Sequence, residues 1–262
     1  MSKTKTKKKF PDYFFFSLIV PAILVLLWQL AANNGLIRVN IVPSPEGIWE
    51  SFLKQVSKGT LQKHIFVSLR RVLFGYALGG VLGIATGTLM GLFRLFERAM
   101  RFLIEIMRPI PIVAWVPVLI LWSGIGERSK IIVIAIGTFW SVLLNVIDGI
   151  RHVDKKYLEV STLFMKSRIE VIRKVVLPAA TPSIFTGLRI GIGAAWLSVI
   201  GAELIAASSG LGFLISFSRE LAQPAPMLVG VLTIGIIGWV INRLIQLAER
   251  HILKWNVNIR QG

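Results

Sequence analysis

GYALGGVLGIATGTLMG, residues 75–91, repeats glycine at every fourth position: Gly75, Gly79, Gly83, Gly87 and Gly91. Residues four apart on an α-helix lie one above the other, so these glycines lay five patches of bare backbone along one face. The apolar window around them, Val67 to Leu92, is long enough to cross a bilayer. Lipid offers no hydrophobic drive for helices to associate, and a face without Cβ atoms lets a second helix come close enough for backbone packing. The stretch therefore predicts a membrane-spanning helix with a packing seam, inside an all-α, polytopic membrane bundle.

The remainder of the chain has the same character. Of 262 residues, 54% are hydrophobic and only 16% charged, with a mean hydropathy of +0.70. That is too apolar for an ordinary soluble domain. The formal charge of +17 does not indicate nucleic acid, because the basic residues lie between apolar stretches instead of clustering on a polar domain. There is no cysteine, and His64, His152 and His251 stand alone without partners at ligand spacing, so no metal site and no cofactor is expected.

Apolar windows place six spans: Tyr13 to Ala32, Val67 to Leu92, Phe102 to Trp122, Ile131 to Gly149, Ser183 to Ile205 and Met227 to Leu247. The first follows Lys3, Lys5, Lys7, Lys8 and Lys9 and is too long for a signal-peptide core, so it reads as an uncleaved span. Six spans put both termini on one side. That side collects the amino-terminal lysines, Arg94, Arg98, Arg101, Arg108, the Arg151–Lys174 cations and Arg243, Arg250, Lys254 and Arg260. The other side holds fewer, Arg70 and Arg71 among them. The bias predicts cytoplasmic termini. Residues 1–12 form a basic tail, residues 13–262 a single transmembrane domain, and residues 151–178 its longest cytoplasmic loop.

Outside the spans, Ser44, Pro45 and Glu46 suit the cap and first turn of a helix whose apolar stripe is Ile48, Trp49, Phe52, Leu53 and Val56. Periodicity alone does not separate a helix lying on the membrane surface from a strut against the bundle. Pro109, Pro111 and Pro117 interrupt the third span, as a structural kink or as the border of a solute route. On the fourth span Thr138, Ser141, Asn145 and Asp148 share a face, which suits either a translocation pathway or hydrogen-bonding glue between helices. The fifth span carries Trp196, Ser198 and Glu203 among small residues. A carboxylate at that depth has to be paired, protonated or near the outer edge, and Glu203 reads as a gate or packing element. Thr138, Ser141, Asn145, Trp196, Ser198 and Glu203 are the candidate pathway residues.

The loop holds two helical stretches, about Lys155–Met165 and Arg168–Val176. The second has an apolar face of Ile169, Ile172, Val175 and Val176, as a docking surface would. Glu159-Val160-Ser161, followed by Leu177-Pro178, resembles the EAA loop of ABC import permeases, with Val160 and Ser161 in place of the family's alanines and Met165 in place of its usual glycine. Residues 108–131 (RPIPIVAWVPVLILWSGIGERSKI), 187–215 (GLRIGIGAAWLSVIGAELIAASSGLGFLI) and the VPSPEGIW segment from Val42 are similar to the sulfonate, taurine and nitrate permeases. The likeness covers Trp28 to Trp255. It implies the type I ABC importer permease fold and a bacterial inner-membrane location. It also implies a homodimer joined by two ATP-binding ABC subunits and an extracytoplasmic solute-binding protein, with Glu159, Val160, Ser161, Met165, Leu177 and Pro178 in the ATPase-coupling loop. The sequence has no G-x-x-x-x-G-K-[ST] phosphate loop and no nucleophile–base constellation, so no catalytic residue is assigned and ATP hydrolysis falls to another polypeptide.

Rival readings are a related permease for a solute such as a vitamin precursor, an ion-gradient-driven secondary transporter and a nontransporting scaffold. A secondary transporter calls for internal repeats and paired intramembrane charges, and neither is found in the sequence. The polar stripe of the fourth span speaks against the scaffold.

Overall fold

The computed structural model describes residues 12–252 apart from 155, 158, 160 and 162–166. The lysine-rich tail ahead of residue 12, together with Val160 and Met165, lies outside the described residues. Every regular element among the described residues is helical. Helices α1 (Asp12–Asn33), α2 (Pro45–Ser57) and α3 (Thr60–Leu92) come first. They are followed by α4 (Arg94–Met107), α5 (Trp115–Ser123) and α6 (Glu127–Arg151). Beyond the loop come α7 (Leu177–Ala206), α8 (Leu211–Glu220) and α9 (Pro224–Ile252).

The glycine seam forms against α6. A Cβ built on Gly83 would meet Val142 Cβ at 2.9 Å, one on Gly87 would meet Val146 Cβ at 2.8 Å, and one on Gly91 would meet Ile150 Cβ at 2.9 Å. Gly75 and Gly79 face Ile134 and Ala135 in the same way. The partner residue advances in step with the glycine, so α3 and α6 run parallel. On its other side α6 takes α7 antiparallel, with Gly149 against Ser183, Gly187 against Asn145 and Gly137 against Ser198. These three helices make the closest-packed part of the molecule.

Two parallel helices require the intervening chain to return across the bundle, and α4 with α5 makes that return. The sequence predicts one interrupted span from Phe102 to Trp122, whereas the structure has two helices meeting at 86°. Pro109 and Pro111 each remove a backbone donor, and a proline ring collides with the carbonyl four residues back in a continuing helix, so α4 ends at Met107 with Arg108 as its cap. Pro117 sits in the first turn of α5, where no intrahelical donor is needed, and leaves that helix intact. By length and composition, four candidate spans are present among the described residues, contributed by α3, α6, the run from Arg168 through α8, and α9. The bent pair raises the number to five, and the apolar part of α1, Ile19–Asn33, is shorter than a span. The six-span count is not reached on these criteria.

At the end where α3 and α6 begin, α2 is capped as its sequence predicts: the Ser44 hydroxyl accepts from Gly47 N at 3.1 Å. Gly59, at φ +70°, turns the chain directly into α3. The apolar stripe of α2 divides. Ile48 is buried, and Phe52 and Val56 pack on the core formed by Trp196, Leu214 and Val229. Trp49 and Leu53 remain exposed. The helix is thus a strut on one side with a free apolar flank on the other.

Candidate functional site

Two groups of side chains occupy opposite ends of the α3–α6–α7 bundle. At one end α6 finishes and the loop begins. Arg151, the last residue of α6, pairs with Glu97 of α4, which also accepts from Arg101 at 2.6 Å. Val153 then tucks under the bundle with Val142, Val146, Ile150, Val176 and Ala180. Glu159 is helical and exposed, whereas Ser161 is buried.

The chain re-enters at Ser167, which forms a reciprocal capping box with Glu170. The helix Arg168–Val171 leads through a π-helical turn at Ile172–Val176 straight into α7. A second, separate loop helix, as the sequence suggests, is therefore replaced by an extension of the fifth span. The widened turn sits just before Pro178, whose ring would collide with a carbonyl four residues back in a regular α-turn. The expected apolar face is also divided. Val176 is buried and Ile172 and Val175 are half-buried, while Ile169 is 78% exposed. Leu177 is half-buried and Pro178 exposed. Glu159 shares this end with the exposed apolar side chains of Tyr157 and Ile169 and with the exposed cations Lys156, Arg168, Arg173 and Lys174, a surface of mixed charge with apolar patches.

The polar stripe on α6 faces neighbouring helices. Thr138 is fully buried, its hydroxyl donates to Ile134 O at 3.0 Å, and it lies between Gly79 and Gly191. Asn145 donates to Ser141 O at 2.8 Å and lies against Gly187. Asp148 is exposed and lies 2.9 Å from His152 Nδ1. On α7, Ser198 donates to Ala194 O at 2.7 Å, and Trp196 Nε1 donates to Ile234 O at 3.3 Å beside Gly238. Thr138, Asn145 and Ser198 thus share the α6–α7 seam. Trp196 faces α9.

The other end is organised by a group that the sequence reading did not assemble. Glu203 is 1% exposed and accepts from Ser68 Oγ at 2.8 Å, Gly212 N at 2.9 Å and Arg71 Nη1 at 2.8 Å. Arg71, also 1% exposed, donates through Nε to Glu127 at 2.9 Å and through Nη1 to Ser209 O at 2.6 Å. Ser68 Oγ accepts from Leu211 N at 2.9 Å, and His64 Nδ1 accepts from Gly210 N at 3.1 Å. A single ion-pair network therefore ties α3, the start of α6 and the α7–α8 turn together. Arg71 and Glu203 share one hydrogen bond, and Ser68, Gly212, Glu127 and Ser209 take up the remaining capacity of the two groups, the condition under which a buried ion pair is tolerated. Gly210, at φ +115°, brings the turn against the Glu203 carboxylate, where any Cβ would collide. Of the sequence alternatives for Glu203, pairing is the one found. The paired buried charges missing from the sequence reading are present, with Arg71 counted there among the outer basic residues. An arginine just inside one apolar window and an acid inside another were the available signal.

Residues 79–254 match the family described as binding-protein-dependent transport system inner membrane component. The chain belongs to this family. Its relatives include a protein named as a candidate aliphatic sulfonates transport permease, SsuC of Bacillus subtilis (strain 168), 35% identical over 91% of this chain and 86% of the relative. The taurine transport system permease protein TauC of Escherichia coli (strain K12) is 32% identical over 91% and 89% of the two chains. Among solved structures, a chain of the MetNI methionine ABC transporter in an inward-facing form superposes with a TM-score of 0.65 at 19% identity, covering 76% of this permease and 97% of that chain. The permease thus has the fold of ABC transporter membrane chains, as its sequence predicts.

Proposed function

We propose that this permease is the membrane-spanning subunit of an ATP-driven importer and passes a small anionic solute, such as an organic sulfonate, taurine, nitrate or bicarbonate, into the cell. The family match over residues 79–254 carries the reading. Relatives named for sulfonates, taurine and bicarbonate give the solute class. ATP-binding subunits dock at the Glu159 end, which also includes Val160, Ser161, Met165, Leu177 and Pro178. A solute-binding protein delivers solute at the opposite end, and two copies of the permease enclose the route. The positive-inside bias supports cytoplasmic termini, with residues 1–12 as a tail on one transmembrane domain. Copurification should bring down an ATP-hydrolysing subunit, and the reconstituted complex should take up solute only with ATP and the binding protein. Tyr157→Cys should be labelled by an impermeant thiol reagent from the ATPase side alone, since Tyr157 is exposed where Ser161 is not. Uptake without ATP sinks the reading.

The route itself is proposed to run along Thr138, Ser141, Asn145, Trp196 and Ser198, with Glu203 closing its outer end. Ser141 and Asn145 are half-buried, against full burial of Thr138, and so are the positions to test. Replacing both with leucine should reduce uptake at least tenfold while the assembled complex is recovered in normal yield. Unchanged uptake by the double variant removes this stripe from the route.

A further inference from the structure

A cavity of about 500 Å³ opens between α4 and the final turns of α3 and α6. Its floor is apolar, made by Met90, Ile104, Leu144 and Ile147, and its rim carries Arg101, Arg108 and Arg151. The rim cations are incompletely neutralised. Arg101 and Arg151 share one carboxylate, that of Glu97, and Arg108 has no ion-pair partner among the described residues. With Glu105 also at the rim, three arginines stand against two glutamates.

The helix forming the outer wall has the make-up of one that lies at a membrane interface. At 100° per residue, all six charged side chains of the α4 stretch, Arg94, Glu97, Arg98, Arg101, Glu105 and Arg108, fall on one face. Leu95, Phe102 and Ile106 are exposed on the next flank. The 86° bend into α5 turns α4 away from the direction of the helix that follows it. An arginine-rich polar face beside an exposed Leu/Phe flank characterises helices that sit between headgroups and acyl chains.

We propose that this cavity binds the phosphate headgroup of an anionic phospholipid, with Arg101, Arg108 and Arg151 holding the phosphate oxygens and the apolar floor receiving the start of the acyl chains. The chemistry is shared with free oxyanions, but the site favours the lipid. A small hydrated anion would lose water to Met90, Ile104, Leu144 and Ile147, none of which offers a side-chain donor. An amphipathic anion matches both rim and floor. Basic pockets between membrane helices recognise anionic headgroups in this way.

The full permease, purified in neutral detergent, is titrated with phosphatidylglycerol or phosphatidylcholine, and bound lipid is counted by native mass spectrometry. Phosphatidylglycerol should be retained at least fivefold better than phosphatidylcholine. Arg101→Gln with Arg108→Gln should abolish the preference, while Arg94→Gln with Arg98→Gln, an equal loss of charge on the same helix away from the cavity, should keep it. Millimolar inorganic phosphate or taurine should not displace the lipid. Equal loss of preference in both double variants, no preference in the parent, or displacement by the free anions would each overturn the proposal. If the cavity variant folds poorly, Arg108→Gln alone, at an arginine without an ion-pair partner, should still lower the preference, and an unchanged preference would count against the site.

Discussion

Glu203→Ala should lower the stability of the permease by about 3–5 kcal/mol, the range for removing one partner of a buried ion pair. The loss arises less from the missing attraction than from what stays behind. Arg71 remains enclosed with a guanidinium group that only Glu127 and Ser209 still satisfy, and Gly212 N and Ser68 Oγ lose their acceptor. Glu203→Gln should be milder, because an amide keeps an oxygen for Gly212 and Ser68 while losing the charge facing Arg71. Removing both charges, as in Arg71→Met with Glu203→Leu, should recover part of the loss, since Glu127 is 42% exposed and can be solvated. Thermal unfolding of the purified chain, followed by size-exclusion profile, gives the order Glu203→Ala below Glu203→Gln below parent. A Glu203→Ala protein as stable as the parent would show that the network is not what fastens the α7–α8 turn.

Charge reversal at Glu159 should act on assembly and leave the fold alone. The side chain is exposed, where even the loss of an ion pair usually costs no more than about 1 kcal/mol. At a docking surface, a like-charge contact costs several kcal/mol, and about 1.4 kcal/mol already weakens binding tenfold. Glu159→Lys should therefore reduce copurification of the ATP-binding subunit at least tenfold, or abolish solute-stimulated ATP hydrolysis if the complex persists. Ile169→Asp should do the same from the apolar part of that surface, whereas Glu50→Lys at the opposite end should leave copurification of the ATP-binding subunit unchanged. Normal hydrolysis and normal copurification in both Glu159→Lys and Ile169→Asp would place the coupling element elsewhere.

The parts of the fold that the sequence makes readable are those set by local chemistry. A glycine at every fourth residue specifies a seam whatever helix fills it, and Ser44-Pro45-Glu46 specifies a helix start whatever lies beyond. Readings that depended on long-range partners fared differently. Arg71 looks like one more basic residue near a membrane surface until Glu203, far along the chain, is brought beside it. Hydropathy averages across Arg108-Pro109-Ile110-Pro111 and joins two helices that the prolines separate. The Ile169–Val176 stripe has helical spacing, but spacing does not distinguish a face turned to a partner from one that continues into the bundle through a widened turn. The candidate pathway residues are picked out by polarity alone: Thr138, Asn145 and Ser198 bond within their own helices, whereas Trp196 and Glu203 reach other elements, a difference that one-dimensional periodicity leaves open.

The seam between α3 and α6 also bears on how force can travel. With backbone against side chain at five successive levels, neither helix can slide or roll on the other without lifting out of register. The pair therefore behaves as one stiff rod. At about 1.5 Å per residue the 25 residues of α6 extend roughly 37 Å, from Arg151 beside the loop to Glu127 beside Arg71. A tilt imposed at the Arg151 tip reaches the Glu127 tip as the same tilt, with no slack lost along the way. Compliance is left to the joints: the bend before α5 and the π-helical turn ahead of Pro178.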